Sequence, residues 1–365
     1  MKGPLITKKI PAYVLIATLF TAITVFLPLH SYQQPSRYVL FTRGFFETET
    51  GEITALGERS SQAEANFLLN TQNCPEELAI YVHGVWATEQ AAMNQYGRVV
   101  DSVLGPNNNY LIPIILFSWD SDTPFDLVGN GWRTAKGIAD ENGPLLANSI
   151  LGLKNDCPQL VVRIIAHSLG ARVIFNALAS LDSNQEWNSN NFKIASMHLM
   201  GAAVDNEEVS KRSSDTDNAN DDRIYGGAIE RQVIKTYNLF NPEDNLLQPE
   251  RFPYTYYSQY EHDNALGNNG AQPRISQPTN YIDRNALNEI PENRRTDMTD
   301  ANGDNICDLP EWIYNPFVFP IPFLTCGINS VGDNHLGYMG FRDASTQTLV
   351  DDGALDIIIE HWRRN

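Results

Sequence analysis

Ser168 stands where an apolar run, Leu160-Val161-Val162-Arg163-Ile164-Ile165, gives way through Ala166-His167-Ser168-Leu169-Gly170 to the helical pattern Ala171-Arg172-Val173-Ile174-Phe175. A serine held at an abrupt strand-to-helix turn projects its hydroxyl from the sheet edge in a strained backbone conformation. The chemistry open to it is nucleophilic attack, provided that a base takes its proton. Such a turn brings two backbones together, so the residues two before and two after must be small. Ala166 and Gly170 meet that requirement, although glycine is usual at the first position. The bland reading, a serine capping a core helix, accounts for neither the strand before it nor the small residues around it.

Ala166-His167-Ser168-Leu169-Gly170-Ala171 after a hydrophobic strand resembles the elbow of lipase-like α/β-hydrolases, closest to a poorly characterised prokaryotic group of them. The likeness extends to Tyr81-Val82-His83-Gly84-Val85-Trp86, to Phe117-Ser118-Trp119-Asp120-Ser121 and to residues 237–247. It spans roughly residues 78–270 and resumes near His335. The resemblance implies an oxyanion hole formed by the backbone amides of Val85 and Leu169, with His83 and Gly84 ending the strand that delivers the first of them. Fixed N–H donors of that kind stabilise a tetrahedral intermediate by about 3–4 kcal/mol each.

The base is sought among seven histidines. His30 belongs to the N-terminal apolar flank, and His83 and His167 to strand-end motifs, with the His167 side chain expected to aim away from its neighbour. His198 reads as a core histidine and His361 as part of a terminal amphipathic helix. Of His262 and His335, the latter occupies the polar loop Gly332-Asp333-Asn334-His335-Leu336-Gly337, shortly before the last helix. That position suits the fold's chain order of serine, acid, histidine. The acid should orient the imidazole. Asp244, in Asn241-Pro242-Glu243-Asp244, is preferred, a role compatible with capping its local turn; Asp205, after the preceding strand, is the alternative.

The elements that must position these residues alternate along the chain. Strands are expected at 78–85, 111–119, 160–167, 192–200 and 233–240, most of them near-continuous apolar runs of the kind buried on both faces. Helices are expected at 88–103, 132–153 and 169–181. The pattern predicts a mostly parallel central sheet with helices on both faces, and the resemblance implies that it is the α/β-hydrolase fold. Further expectations are a first hairpin from 38–41 and 53–56, a short strand at 278–283, a solvated loop at 207–222 and a terminal helix at 349–362.

Residues 1–30 carry Lys2, Lys8 and Lys9 before an uncharged stretch from 10 to 29, long enough to span a bilayer. They are read as a membrane anchor or signal segment, followed by a linker at 31–37 and the catalytic domain at 38–365. The basic flank places that domain outside the cytoplasm, anchored, or secreted if the segment is cleaved. Four cysteines fit export. Cys74 and Cys157 precede strands of one sheet and can bridge at its edge, which leaves Cys307 with Cys326. A net charge of −18 excludes a nucleic-acid partner in the usual basic-footprint sense.

An insertion is expected at about 284–333. Within it, Asp300, Asn302, Asp304, the Ile306 carbonyl, Asp308 and Glu311 have the spacing of a twelve-residue calcium loop. The aromatic, proline-broken strip 312–324 is read as a lid or as core packing. The whole describes an exported serine hydrolase of small-molecule or lipid esters, with no catalytic cofactor and a structural calcium. An amidase, peptidase or thioesterase with the same triad, or a non-catalytic binding protein, are the alternatives.

Overall fold

The computed structural model describes residues 38–60, 74–105, 108–124, 129–216, 223–244, 246–247, 261, 263–290, 333–342 and 348–364. Among them, β1 (Tyr38–Phe41) and α1 (Ala55–Ser60) come first, then β2 (Glu77–Val82), α2 (Glu89–Leu104) and β3 (Ile114–Ser118). They are followed by α3 (Asn130–Asp156), β4 (Val161–His167), α4 (Gly170–Ser183), α5 (Gln185–Ser189) and β5 (Ile194–Met200). The chain continues through α6 (Gly226–Gln232), β6 (Val233–Phe240), α7 (Leu266–Asn269) and β7 (Tyr281–Asn285). After the short helix α8 (Asp333–Leu336) come β8 (Phe341–Arg342), β9 (Leu349–Asp351) and α9 (Leu355–Arg364).

Seven strands form one sheet in the order β1-β3-β2-β4-β5-β6-β7, and every pairing in it is parallel. Alternation along β2 shows how the sheet is covered. Leu78, Ile80 and Val82 pack in a core with α3 and α4 residues such as Ile138, Leu146, Val173 and Ile174. Ala79 and Tyr81 face a second core with Tyr96 and Val99 of α2 and Ile358 and Trp362 of α9. All five β2 residues are buried, and burying an aliphatic side chain contributes about 1.5–3 kcal/mol. The mostly parallel sheet with helices on both faces is therefore as expected.

The chain adds strands to one side of β2 and then, from β4 on, to the other. That reversal makes the gap beyond the C-terminal ends of β2 and β4 the topological switch point, where open α/β sheets take their ligands. The turns after those two strands carry His83–Val85 and Ser168.

Some expectations are corrected. β1 is not half of a hairpin: it pairs parallel with β3, Tyr38 opposite Ile115, while Ile53 makes only an isolated bridge to Phe46 and Ala55 starts a helix. The terminal helix begins at Leu355, because Leu349–Asp351 pairs antiparallel with Phe341–Arg342. Arg284 and Asn285, taken as the start of the insertion, belong to β7. Glu207, Glu208 and Ser210 are buried instead of lying in a solvated loop; Glu208 faces Arg172 at 3.6 Å. Among the described residues no helix is long and apolar enough to cross a membrane; the N-terminal segment 1–30 and the linker 31–37 lie outside them.

Candidate active site

Ser168 occupies the turn between β4 and α4 with φ of 54°, a left-handed conformation costly for a residue with a side chain. The neighbouring strand holds it there: its N–H donates to the Met200 carbonyl at 3.0 Å, and its own carbonyl accepts from Ala203 N–H at 3.1 Å. The glycines around it are required by space. A β-carbon on Gly170 would fall 2.6 Å from the Val82 carbonyl oxygen and 2.7 Å from that of His83. One on Gly84 would fall 2.6 Å from Ser168 Cβ and 3.1 Å from its Oγ.

Asp244 and His335 meet beside this turn. His335 Nδ1 lies 2.7 Å from Asp244 Oδ2. The other carboxylate oxygen, Oδ1, accepts the Leu246 N–H at 3.0 Å and the Leu247 N–H at 3.2 Å. Asp244 thus both caps its local turn and bonds the imidazole. Since a carboxylate only accepts, Nδ1 carries the proton and the neutral ring keeps a lone pair on Nε2. That nitrogen is buried with no hydrogen-bond partner among the described residues. Room for the pair comes from Gly201, at φ of 54° after β5: a β-carbon there would lie 3.2 Å from both Asp244 Oδ2 and His335 Cε1, and 2.9 Å from Tyr338 Cε2. Ser168, His335 and Asp244 are all almost fully buried, at 2%, 3% and 0% exposure.

The amides of Val85 and Leu169 flank the same corner. Neither donates a backbone hydrogen bond among the described residues, whereas the next amide in the first turn, Trp86 N–H, is spent on the Ser121 carbonyl at 2.7 Å. The turn 83–87 is fastened from behind. Arg43, in the loop after β1, donates to the Ala87 carbonyl at 2.7 Å and to Ser118 Oγ at 2.7 Å. It reaches Asp122 at 3.2 Å and approaches His83 Nε2 at 3.4 Å. Asp120 in turn holds the Arg43 loop by accepting from Gly44 N–H at 2.7 Å and Phe46 N–H at 2.9 Å.

His83 stacks on Trp119 with 5.7 Å between ring centres, and its Nε2 accepts the Trp119 N–H at 3.2 Å. The proton therefore sits on Nδ1, which bonds the Gly84 carbonyl at 2.9 Å. Burial first, and then the Arg43 charge, push its pKa down to about 3, so this ring is neutral. The His167 ring lies 4.7 Å from that of His335.

Asp205, the alternative acid, makes a backbone bridge with Ala265 and is buried; no bond joins it to His335 among those described, while Asp244 makes one. The Arg172 guanidinium donates to Asp140 at 2.7 and 3.0 Å. His198 is a core histidine, with Nε2 3.2 Å from His361 Nδ1. Arg43, Asp120 and Gly201 were not singled out by sequence reasoning. Of the three, only Gly201, directly after an apolar strand, carried a local signal.

Cys74 and Cys157 form a disulfide with Cα atoms 5.8 Å apart, at the N-terminal ends of β2 and β4. Cys307 and Cys326, the calcium-loop residues Asp300, Asn302, Asp304, Ile306, Asp308 and Glu311, the strip 312–324 and His262 lie outside the described residues.

The fold and the turn geometry agree with a comparison against protein families. Residues 58–266 match the family described as alpha/beta hydrolase of unknown function (DUF900). The chain belongs to that family. This α/β hydrolase carries Ser168, Asp244, Val85 and Leu169 inside the matched region, and Arg43 and His335 outside it. No curated protein matches the chain.

Proposed function

We propose that the protein is an exported serine hydrolase that cleaves carboxylic esters through an acyl-enzyme on Ser168. The observation that carries this reading is the pairing of a strained, glycine-cleared Ser168 with a His335–Asp244 bond that leaves Nε2 as an unpartnered acceptor.

In this mechanism Ser168 Oγ bonds the ester carbonyl carbon while its proton passes to His335 Nε2, and Asp244 stabilises the imidazolium. The carbonyl π electrons move to oxygen, and the oxyanion accepts hydrogen bonds from the Val85 and Leu169 N–H groups. Collapse of the intermediate breaks the ester C–O bond, and the alcohol leaves with the proton from Nε2. Water then repeats the sequence on the acyl-enzyme, releasing the carboxylic acid and restoring Ser168. No step requires a cofactor.

The Cys74–Cys157 bridge supports the assignment to an oxidising compartment. We assign residues 1–30 to a membrane anchor or signal segment, and a structural calcium to the loop 300–311. The substrate is a small-molecule or lipid ester, and no nucleic acid takes part.

The test is a fluorophosphonate probe together with p-nitrophenyl esters of graded chain length, assayed with and without EDTA. The expected result is a covalent adduct on Ser168, absent in Ser168→Ala, and ester turnover. Folded protein that forms no adduct would overturn the reading in favour of a hydrolase fold kept for binding. Turnover of amides or thioesters alone would move the leaving group to that class.

A further inference from the structure

His167 ends β4 and immediately precedes Ser168. A β-carbon on Gly84 would lie 3.1 Å from Ser168 Oγ and 3.3 Å from His167 Nδ1, so the two side chains border one space, and there His167 meets the segment carrying His335. Its Nε2 lies 2.8 Å from the backbone carbonyl oxygen of His335, a contact that joins residues 168 positions apart. A carbonyl only accepts, so Nε2 bears the proton and the ring is the neutral Nε2–H tautomer. The two imidazoles pack with their planes inclined by 47°, and both residues are buried.

The carbonyl has a reason to need such a donor. Helix α8 has four residues, Asp333–Leu336, and carbonyls in the last turn of a helix have no intrahelical partner. The other ring nitrogen of His167 shows that the imidazole is more than filler. His167 Nδ1 is buried without a partner among the described residues, a cost that a leucine or phenylalanine in the same space would avoid. What sets the imidazole apart from those residues is the hydrogen bond from Nε2. Burial, and the neighbouring His335, hold the ring's pKa well below its ordinary value, so the donor keeps its tautomer across the neutral range.

We propose that His167 is a positioning residue: through its Nε2–H bond to the His335 carbonyl it ties the base's backbone to the residue adjoining the nucleophile. The spacing of the two reacting side chains is then set by one hydrogen bond and one peptide unit. This inference rests on the serine-hydrolase reading above. It adds a residue whose role is geometric and whose failure has its own signature.

The experiment follows fluorophosphonate labelling of wild type, His167→Leu and His167→Gln, recording both the rate constant and the final stoichiometry. An error of about 1 Å in placing a reacting group can cost on the order of 100-fold in rate. The expected result is that His167→Leu labels to the same final stoichiometry but tens of times more slowly. His167→Gln, whose amide N–H can reach the carbonyl, should recover most of the rate. The low-field proton resonance of His335 Nδ1–H should broaden in the leucine variant and return in the glutamine one.

If His167→Leu lowers the stoichiometry while the labelled fraction reacts at the wild-type rate, the residue supports folding alone and the proposal fails. It fails equally if the leucine variant matches wild type in both. Wild-type protein that forms no adduct overturns the hydrolase reading itself, a result separable from either of these.

Discussion

Asp244 uses its two carboxylate oxygens in two directions, Oδ2 toward His335 Nδ1 at 2.7 Å and Oδ1 toward the amides of Leu246 and Leu247. The turn fixes the carboxylate, and the carboxylate fixes the imidazole tautomer. Asp244→Asn retains an acceptor for the turn but can offer the ring an N–H instead of a lone pair. We expect kcat for ester hydrolysis to fall on the order of 10³–10⁴-fold with the fold intact. Asp205→Asn should stay near wild type. Steady-state kinetics of the two variants side by side decide the matter, and the reverse pattern would transfer the acid role to Asp205.

Gly201 is the space in which this pair fits. Gly201→Ala places a methyl in contact with Tyr338, Asp244 and His335 at a φ of 54°. A left-handed non-glycine residue alone costs roughly 1–3 kcal/mol. The variant should melt at a lower temperature, and well below that temperature it should still label slowly, because its methyl displaces the base. Normal labelling in the folded variant would show that the contact relaxes harmlessly.

The turn 83–87, which the proposed mechanism uses for its oxyanion hole, is held by a residue far from it in sequence. Arg43 anchors the Ala87 carbonyl and Ser118 Oγ with different nitrogens of one guanidinium. Deleting an oxyanion donor costs about 100- to 1,000-fold in kcat, and Arg43→Met, which only loosens one, should cost less than that with KM nearly unchanged. Arg43→Lys retains the charge without the planar fork and should recover little. A rise in KM at constant kcat would place Arg43 in substrate binding instead.

Stability should decline in mild acid. Burial leads the causes that lower the pKa values of His83, His167 and His198. Their ordinary value is 6.5, so between there and the folded value the unfolded chain binds more protons. The stabilisation is complete above pH 6.5 and is lost as the pH falls, reaching its end for His83 near pH 3. Each ring contributes a slope of at most about 1.4 kcal/mol per pH unit. Burial raises the Glu208 pKa, which works in the opposite sense: its proton is held in the folded state, so that contribution is lost as pH rises. Urea midpoints at pH 7.5, 6.5, 5.5 and 4.5 should fall toward acid; a flat series would contradict the buried neutral rings.

The largely apolar runs of β2, β3, β4 and β5 made the sheet legible, because strands buried on both faces are mostly apolar. Ser168 was legible for a related reason: only small residues fit around its turn. The order of Asp244 and His335 came with the family resemblance. Arg43 gave no signal, since an arginine in a loop after a short strand looks like any solvated charge, and its partners become neighbours only when β1 pairs with β3. That distant pairing also defeated the hairpin, which local spacing favoured. Glu207 and Glu208 looked like a solvated loop because sequence shows charge but not the Arg172 that meets it. The role of His167 was not legible, because its contact with His335 joins residues 168 positions apart.

The Cys74–Cys157 bridge closes a loop between positions 83 residues apart, for which chain entropy gives about 4.5 kcal/mol of stabilisation. Reduction, or Cys157→Ser, should lower the melting temperature by several degrees and leave turnover at low temperature unchanged. Slower turnover without a change in melting would contradict this.

The bridge and the nucleophile stand at opposite ends of the same rods. β2 and β4 run from the cysteines to His83 and to Ser168, and seven residues at about 3.3 Å each separate the ends by roughly 23 Å. For anyone attaching this hydrolase to a bead, a dye or a fusion partner, the cysteine end is therefore the handle: what is tethered there is held away from the end of the sheet that carries Ser168.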